Sequence, residues 1–240
     1  MTPRQQPPQQ PPPVQRLLIR YAKRGRVRFC SHRDFARAFE RALRRAGVPM
    51  AYSSGFNPHQ RVSYANPAPT GATSEAEYVE IALAARCDPG RVGEALAGVL
   101  PEGFTILDVT ETPKLSWTAV LDASEWDVDL VDANAAALDL AIAAFVAAPR
   151  VEVERETKNG PRRFDVKPAV VSIARGGDTS VTVVLRHGTP AVRPDDVAAA
   201  LRAVCPDLAG DQPPLVHRRI QGVLQPDGTV GDAPVSGVPR

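Results

Sequence analysis

The stretch from Ser31 to Gly47 limits the possible folds more than any other part of this chain. Ser31 is followed three residues later by Asp34, a pattern in which hydroxyl and carboxylate answer free N–H groups at a helix start. Gly47 and Pro49 supply the stop. At about 100° per residue, Phe35, Phe39, Ala42, Leu43 and Ala46 share one face, and Arg33, Arg37, Arg41 and Arg44 share the opposite one. A helix so divided must lay its Phe side on an apolar surface and turn a row of guanidinium groups to solvent.

The flanking segments supply that surface. Residues 16–21 alternate as a strand does, with Leu17, Ile19 and Tyr21 on one side. After the basic turn Lys23-Arg24-Gly25, residues 26–29 resume the alternation with Arg26 and Arg28 outward. Residues 49–53, 61–65, 78–83 and 104–109 read as further strands, and Asp88-Pro89 opens a second helix to about Leu100. The order is β-α-β-β-α-β over roughly 95 residues, the ferredoxin-like unit. The second half repeats the plan: strands at 116–122, 150–157, 166–173, 180–186 and 215–224, helices at 134–147 and 193–204. The expected fold class is therefore α+β. Two tandem ferredoxin-like domains fill residues 15–111 and 115–224, each with its own four-stranded or slightly larger antiparallel sheet. Residues 1–14, rich in Gln and Pro, and residues 225–240, rich in Gly, Pro and Asp, bury too little to offset ordering entropy and are expected to be disordered.

Several function classes drop out. The first residues lack the apolar core of a signal peptide, and no apolar run approaches the roughly 20 residues that cross a bilayer. The most Ala-rich stretch, residues 133–148, is too short and holds Asp139. A cytoplasmic protein without membrane contact is expected. The three cysteines, Cys30, Cys87 and Cys205, have neither metal-ligand nor disulfide spacing. Cys30, His32 and His59 lack a convincing further ligand, so neither metal nor cofactor is expected.

Charge is the strongest functional signal. The chain carries a net +2, yet from Arg16 to Arg61 twelve Lys and Arg face only Asp34 and Glu40, which is 12 − 2 = +10 and leaves 2 − 10 = −8 for the rest. An asymmetry of this size points to an anionic partner, nucleic acid first.

The run Tyr21-Ala-Lys-Arg-Gly-Arg-Val-Arg-Phe29, then Ser31-His-Arg-Asp34, Arg41-Ala-Leu-Arg-Arg-Ala-Gly47, Tyr52-Ser-Ser-Gly-Phe-Asn-Pro-His-Gln-Arg61 and Ser74-Glu-Ala-Glu-Tyr78 resembles a bacterial family of radical-SAM-linked proteins. Its members are uncharacterised and occur fused to, or encoded beside, a radical-SAM protein. The resemblance is strong over residues 16–110 and weaker afterwards, where residues 158–168 carry it. Cys30 and Arg33 depart from the family pattern, which has an aliphatic residue and Leu there. The three closely spaced cysteines of a radical-SAM cluster are absent, so the resemblance implies an accessory component with a radical-SAM partner. The architecture and the Ser-His helix start also resemble, more distantly, the tandem ferredoxin-like nucleases that process CRISPR repeat RNA.

The candidate RNA- or anion-binding set is Lys23, Arg24, Arg26, Arg28, Ser31, His32, Arg33, Arg37, Arg41, Arg44, Asn57, His59 and Arg61. A second basic loop holds Lys158, Arg162, Arg163 and Lys167. A helix N-terminus at Ser31 and His32 suits an anion. Ser31, His32, Asn57, His59 and Arg61 are expected to converge on one polar pocket. Phe56 is either a core plug or a stacking platform for a base. The leading expectation is a non-catalytic RNA-binding or adaptor protein, the RNA being a transfer or ribosomal RNA. An RNA-processing enzyme with His32 or His59 as general acid or base, and a protein–protein adaptor, are the alternatives.

Overall fold

A computed structural model describes residues 9–112, 116–157 and 160–233. It is a mixed α+β fold with a large mixed sheet and four α-helices. Its described residues divide into two compact units, one of residues 9–70, 75–112 and 116–118, the other of residues 71–74, 119–157 and 160–233.

The first unit runs β1 (Gln15–Lys23), α1 (His32–Arg45), β2 (Val62–Ala65), β3 (Thr73–Leu83), α2 (Pro89–Ala97) and β4 (Phe104–Glu111). Its strands lie in the order β4-β1-β3-β2. The expected helix start is present: Ser31 Oγ accepts the Asp34 N–H at 3.2 Å and lies 2.7 Å from Asp34 Oδ2. The core collects Leu17, Ile19 and Tyr21 of β1, Phe35, Phe39, Ala42 and Leu43 of α1, Val79, Ile81 and Leu83 of β3, and Leu96 of α2. At its centre the Phe35 ring stacks on Tyr21 (4.4 Å between centroids) and meets Phe104 at 4.8 Å and Phe39 at 5.5 Å.

The second unit runs β5 (Ala123–Asp129), α3 (Leu138–Ala147), β6 (Glu152–Thr157), β7 (Gly160–Asp165), β8 (Val170–Arg175), β9 (Ser180–Arg186), α4 (Pro194–Val204), β10 (Leu215–Leu224) and β11 (Val230–Asp232). Strands β10, β5, β9 and β8 are neighbours in that order, all antiparallel, while β6 and β7 form a separate hairpin.

Several expectations need correction. Residues 26–29 are not a strand but part of a 3-10 turn, Gly25–Phe29. Gly25 enters it at φ +60°, a conformation that favours glycine, and Arg24 N–H donates to Gly103 O at 2.8 Å, which turns the chain off the strand path. Residues 49–53 contribute only isolated bridges at Met50 and Tyr52. The strand expected at 116–122 lies instead at β5, and residues 117–120 form a turn. The sheets are not two separate four-stranded ones: hydrogen bonds order nine strands as β4-β1-β3-β10-β5-β9-β8, with β2 on β3 and β11 on β10. The step from β3 to β10 is parallel and short, Thr73 and Ser74 opposite His217 and Arg218, and those two β3 residues belong to the second unit. It arises because β2 stops at Ala65, opposite Tyr78, and leaves the start of β3 open.

Nor is the whole of residues 225–240 without structure. Val230, Gly231 and Asp232 pair with Leu224, Val223 and Gly222, and Val230 is buried beside Ala123 and Val184. An apolar Val two residues beyond the turn at Asp227 and Gly228 is the sequence signal for this return strand. Among the described residues no helix is long and apolar enough to cross a membrane.

Gly222 lets β11 lie close, since a Cβ there would meet Gly231 O at 2.0 Å. Replacing it with Ala is expected to detach β11, raise amide exchange at Val230 to Asp232, and cost about 1–3 kcal/mol in urea unfolding.

Candidate nucleic-acid interface

The basic face begins with the way α1 is held. Its Phe side is locked into the aromatic core, so Arg33, Arg37, Arg41 and Arg44 are all exposed on the other side, with Arg45 beside them. Spaced four, four and three residues apart, the first four form one line along a helix of 14 residues, about 21 Å long. Among the described residues none of these arginines has an acid within 4.0 Å. Just before α1, the 3-10 turn leaves Arg26 exposed and sets the Arg28 guanidinium over the Phe29 ring, 5.6 Å from its centroid. The Phe29 ring is itself 70% exposed.

Other members of the candidate set are committed elsewhere. Lys23 is buried, its Nζ 3.5 Å from Pro69 O. Arg24 grips Glu75 with two hydrogen bonds, Nε to Oε1 at 2.7 Å and Nη2 to Oε2. In the second basic loop Arg163 pairs with Glu154 at 2.6 Å. Lys167 donates to the carbonyls of Phe145 and Val146 at 2.9 and 3.1 Å and lies over the Phe145 ring, so it caps the end of α3. Arg162 is exposed on β7, and Lys158 lies outside the described residues.

Of the residues expected to share a pocket, Ser31 and His32 lie together at the start of α1. His32, in the first turn of α1, packs edge-on against Tyr64 at 4.7 Å. A cavity of about 10 Å³, room for roughly one water, lies there between Ser31, His32, Lys23, Cys30 and Glu77. Asn57, His59 and Arg61 are not among its lining residues. Their segment closes on itself: His59 N–H donates to Ser53 Oγ at 3.0 Å, Ser53 N–H to His59 O at 2.8 Å, and Arg61 Nε to Tyr52 O at 3.1 Å. Asn57 and His59 are exposed, and Phe56 is 76% exposed, which rules out the core-plug role.

Two members of the His32 cluster are a surprise of burial rather than of position. Glu77 keeps phase with Val79, Ile81 and Leu83 on the core side of β3, and Lys23 keeps phase with Leu17, Ile19 and Tyr21 on that of β1. A charged residue in step with a core face is the signal that could have found them. Glu77 Oε2 accepts the buried N–H of Ala68 at 3.1 Å. Burial pushes the His32 pKa below its ordinary value, with Glu77 opposing and Lys23 assisting, and burial raises the Cys30 thiol and the Tyr64 hydroxyl. Among the described residues no group of three or more His, Cys, Asp or Glu could hold a metal ion. A wider cleft of about 630 Å³ near the start of β1 is lined by charges already paired, Arg16 with Glu80 at 2.7 Å and Arg86 with Glu111 at 2.8 Å.

Because the folded state disfavours protonated His32, its contribution to stability is present above the unfolded pKa near 6.5 and is lost as pH falls below that value. An NMR titration is expected to give His32 a midpoint below 6.5, and Glu77→Gln should lower it further.

A family model described as an uncharacterized protein conserved in bacteria, DUF2344, matches residues 16–194. This span takes in the basic face, the His32 cluster and most of the second unit. No curated protein matches the chain.

Proposed function

The chain belongs to this bacterial family, and from that premise we propose that it is a non-catalytic RNA-binding protein whose contact surface is the arginine face of α1. The observation that carries the reading is the line of Arg33, Arg37, Arg41 and Arg44, exposed and, among the described residues, with no acid within 4.0 Å, although Asp34 and Glu40 stand on the same helix. A solvated helix exterior ordinarily mixes signs or pairs its charges at i,i+4. Planar guanidinium groups repeated along one line suit a phosphate chain, which each can grip through two N–H donors. Contacts of this kind position the RNA and confer affinity without reading its sequence.

The architecture supports the reading. We take the first unit as ferredoxin-like, on its β-α-β-β-α-β order and its strand order β4-β1-β3-β2. The second has the same plan in β5, α3, β8, β9, α4 and β10, with strand order β10-β5-β9-β8 and the β6–β7 hairpin inserted after α3. A cytoplasmic adaptor that presents a transfer or ribosomal RNA to a radical-SAM partner fits these features. The partner rests on the resemblance of the Tyr21–Phe29 and Tyr52–Arg61 motifs to radical-SAM-linked proteins.

Fluorescence anisotropy with labelled RNA tests the reading. Replacing Arg37, Arg41 and Arg44 together with Ala is expected to weaken binding and to flatten the slope of log K against log salt by about 2, since each single-strand phosphate contact contributes roughly 0.7. Unchanged affinity in the triple variant removes the helix face from the mechanism.

A further inference from the structure

Five of the seven phenylalanines are buried; the other two, Phe29 and Phe56, are 70% and 76% exposed. Burying a side chain of that size is worth roughly 1.5–3 kcal/mol, and here that gain is forgone twice within one unit. Along the chain the two rings lie on either side of α1. Phe29 ends the 3-10 turn that leads into the first turn of α1. Phe56 sits in the loop that follows the last turn, reached through Met50, which bridges to Leu83, and Ala51, whose N–H donates to Ala82 O.

Neither ring is on a floppy tether. The turn holding Phe29 is pinned by the Arg24 N–H to Gly103 O bond and closed by the Cys30 N–H to Val27 O bond at 2.9 Å. Arg28 covers one side of the ring at 5.6 Å, adding a planar cation that stacks on bases as readily as an aromatic does. The Phe56 loop is closed below its tip by the Ser53 and His59 bonds and by the Tyr52–Gln60 bridge, and it also presents exposed Asn57 and His59.

We propose that this surface selects single-stranded RNA, with phosphates along Arg33, Arg37, Arg41 and Arg44 and unpaired bases stacked on Phe29 and Phe56. The proposal rests on the RNA-binding reading of the same face and adds the substrate class. In a duplex the base faces are already stacked on one another and out of reach, so a protein reading A-form RNA has no use for exposed rings. In a single strand every base has a free face, and stacking on aromatic side chains supplies affinity that salt does not screen. The two kinds of contact therefore separate experimentally. Arginine substitutions change the salt dependence, whereas phenylalanine substitutions lower affinity at every salt concentration alike.

The experiment uses the full chain, an unstructured adenine-rich 12-mer and a blunt RNA duplex of about the same length, titrated at two salt concentrations. The single strand is expected to bind at least about tenfold more tightly than the duplex. Phe29→Ala and Phe56→Ala should each weaken the single strand by roughly 5- to 150-fold, the range for one lost base stack, with an unchanged salt slope. Phe29→Trp should retain binding. Circular dichroism on the Ala variants checks folding, which exposed rings are not expected to affect. Equal binding of strand and duplex, with both Ala variants silent and the arginine triple variant still defective, overturns the stacking proposal and leaves the RNA reading standing. No binding of either RNA by the unaltered chain overturns both. Ala variants that keep full RNA affinity but lose a co-purifying protein assign the rings to a protein contact and overturn the proposal.

Discussion

The first unit depends on one ring. Phe35 touches Tyr21 of β1, Phe39 one turn along α1, Phe104 at the start of β4 and Tyr64 of β2, at centroid distances of 4.4, 5.5, 4.8 and 6.1 Å. Three strands and a helix thus meet on a single side chain. Truncating a buried Phe typically costs about 3–5 kcal/mol, but its geometric effect matters more. With Phe35 and Phe39 inward, the rotation of α1 about its axis is fixed and the arginines have one place to go. The same ring holds Tyr64 where His32 packs on it. The basic line and the His32 cluster are two outcomes of one packing decision.

The two signs of charge are treated differently along the chain. The acids of β5 are absorbed into its ladder: Glu125 and Asp127 face Arg219 at 3.1 and 3.6 Å, while Asp127 and Asp129 accept hydroxyl bonds from Thr182 and Thr179. The excess acid of the later residues serves in part to hold strands together. Buried Arg218 is likewise occupied, lying over the Trp126 ring at 5.0 Å and bonding Ser74 and Gln221. Among the described residues, Arg33, Arg37, Arg41 and Arg44 of α1 have no acid within 4.0 Å, unlike these internally paired charges.

Where a sequence pattern has one physical meaning, it could be read. The α1 cap, the phase of its Phe side, and strands β9 and β10 follow from periodicity and punctuation alone. Strand β5 was harder, because Ser-Glu-Trp-Asp-Val-Asp alternates with acids that disfavour strands until Arg219, Thr179 and Thr182 come across the ladder to meet them. Those partners lie 50 or more residues away. The 3-10 turn at Gly25–Phe29 alternated as a strand would, and only the Gly103 contact decides otherwise. The chemistry of Asn57, His59 and Arg61 is legible in the sequence, whereas the bonds between Ser53 and His59 that close their loop are not. Glu77 and Lys23 were readable from phase, had burial been weighed ahead of charge.

Strand β3 carries a consequence for where the chain can be divided. Its first two residues count with the second unit, where Ser74 accepts from the Arg218 guanidinium at 3.2 Å and Thr73 lies 2.8 Å from His217 Nδ1. A gene cut between residues 118 and 119 would deliver the later residues without Ser74 and leave the buried Arg218 guanidinium short of a bond. A boundary drawn from chain order alone would therefore misassign residues 71–74, which the fold counts with the later residues although they precede them by about 45 positions.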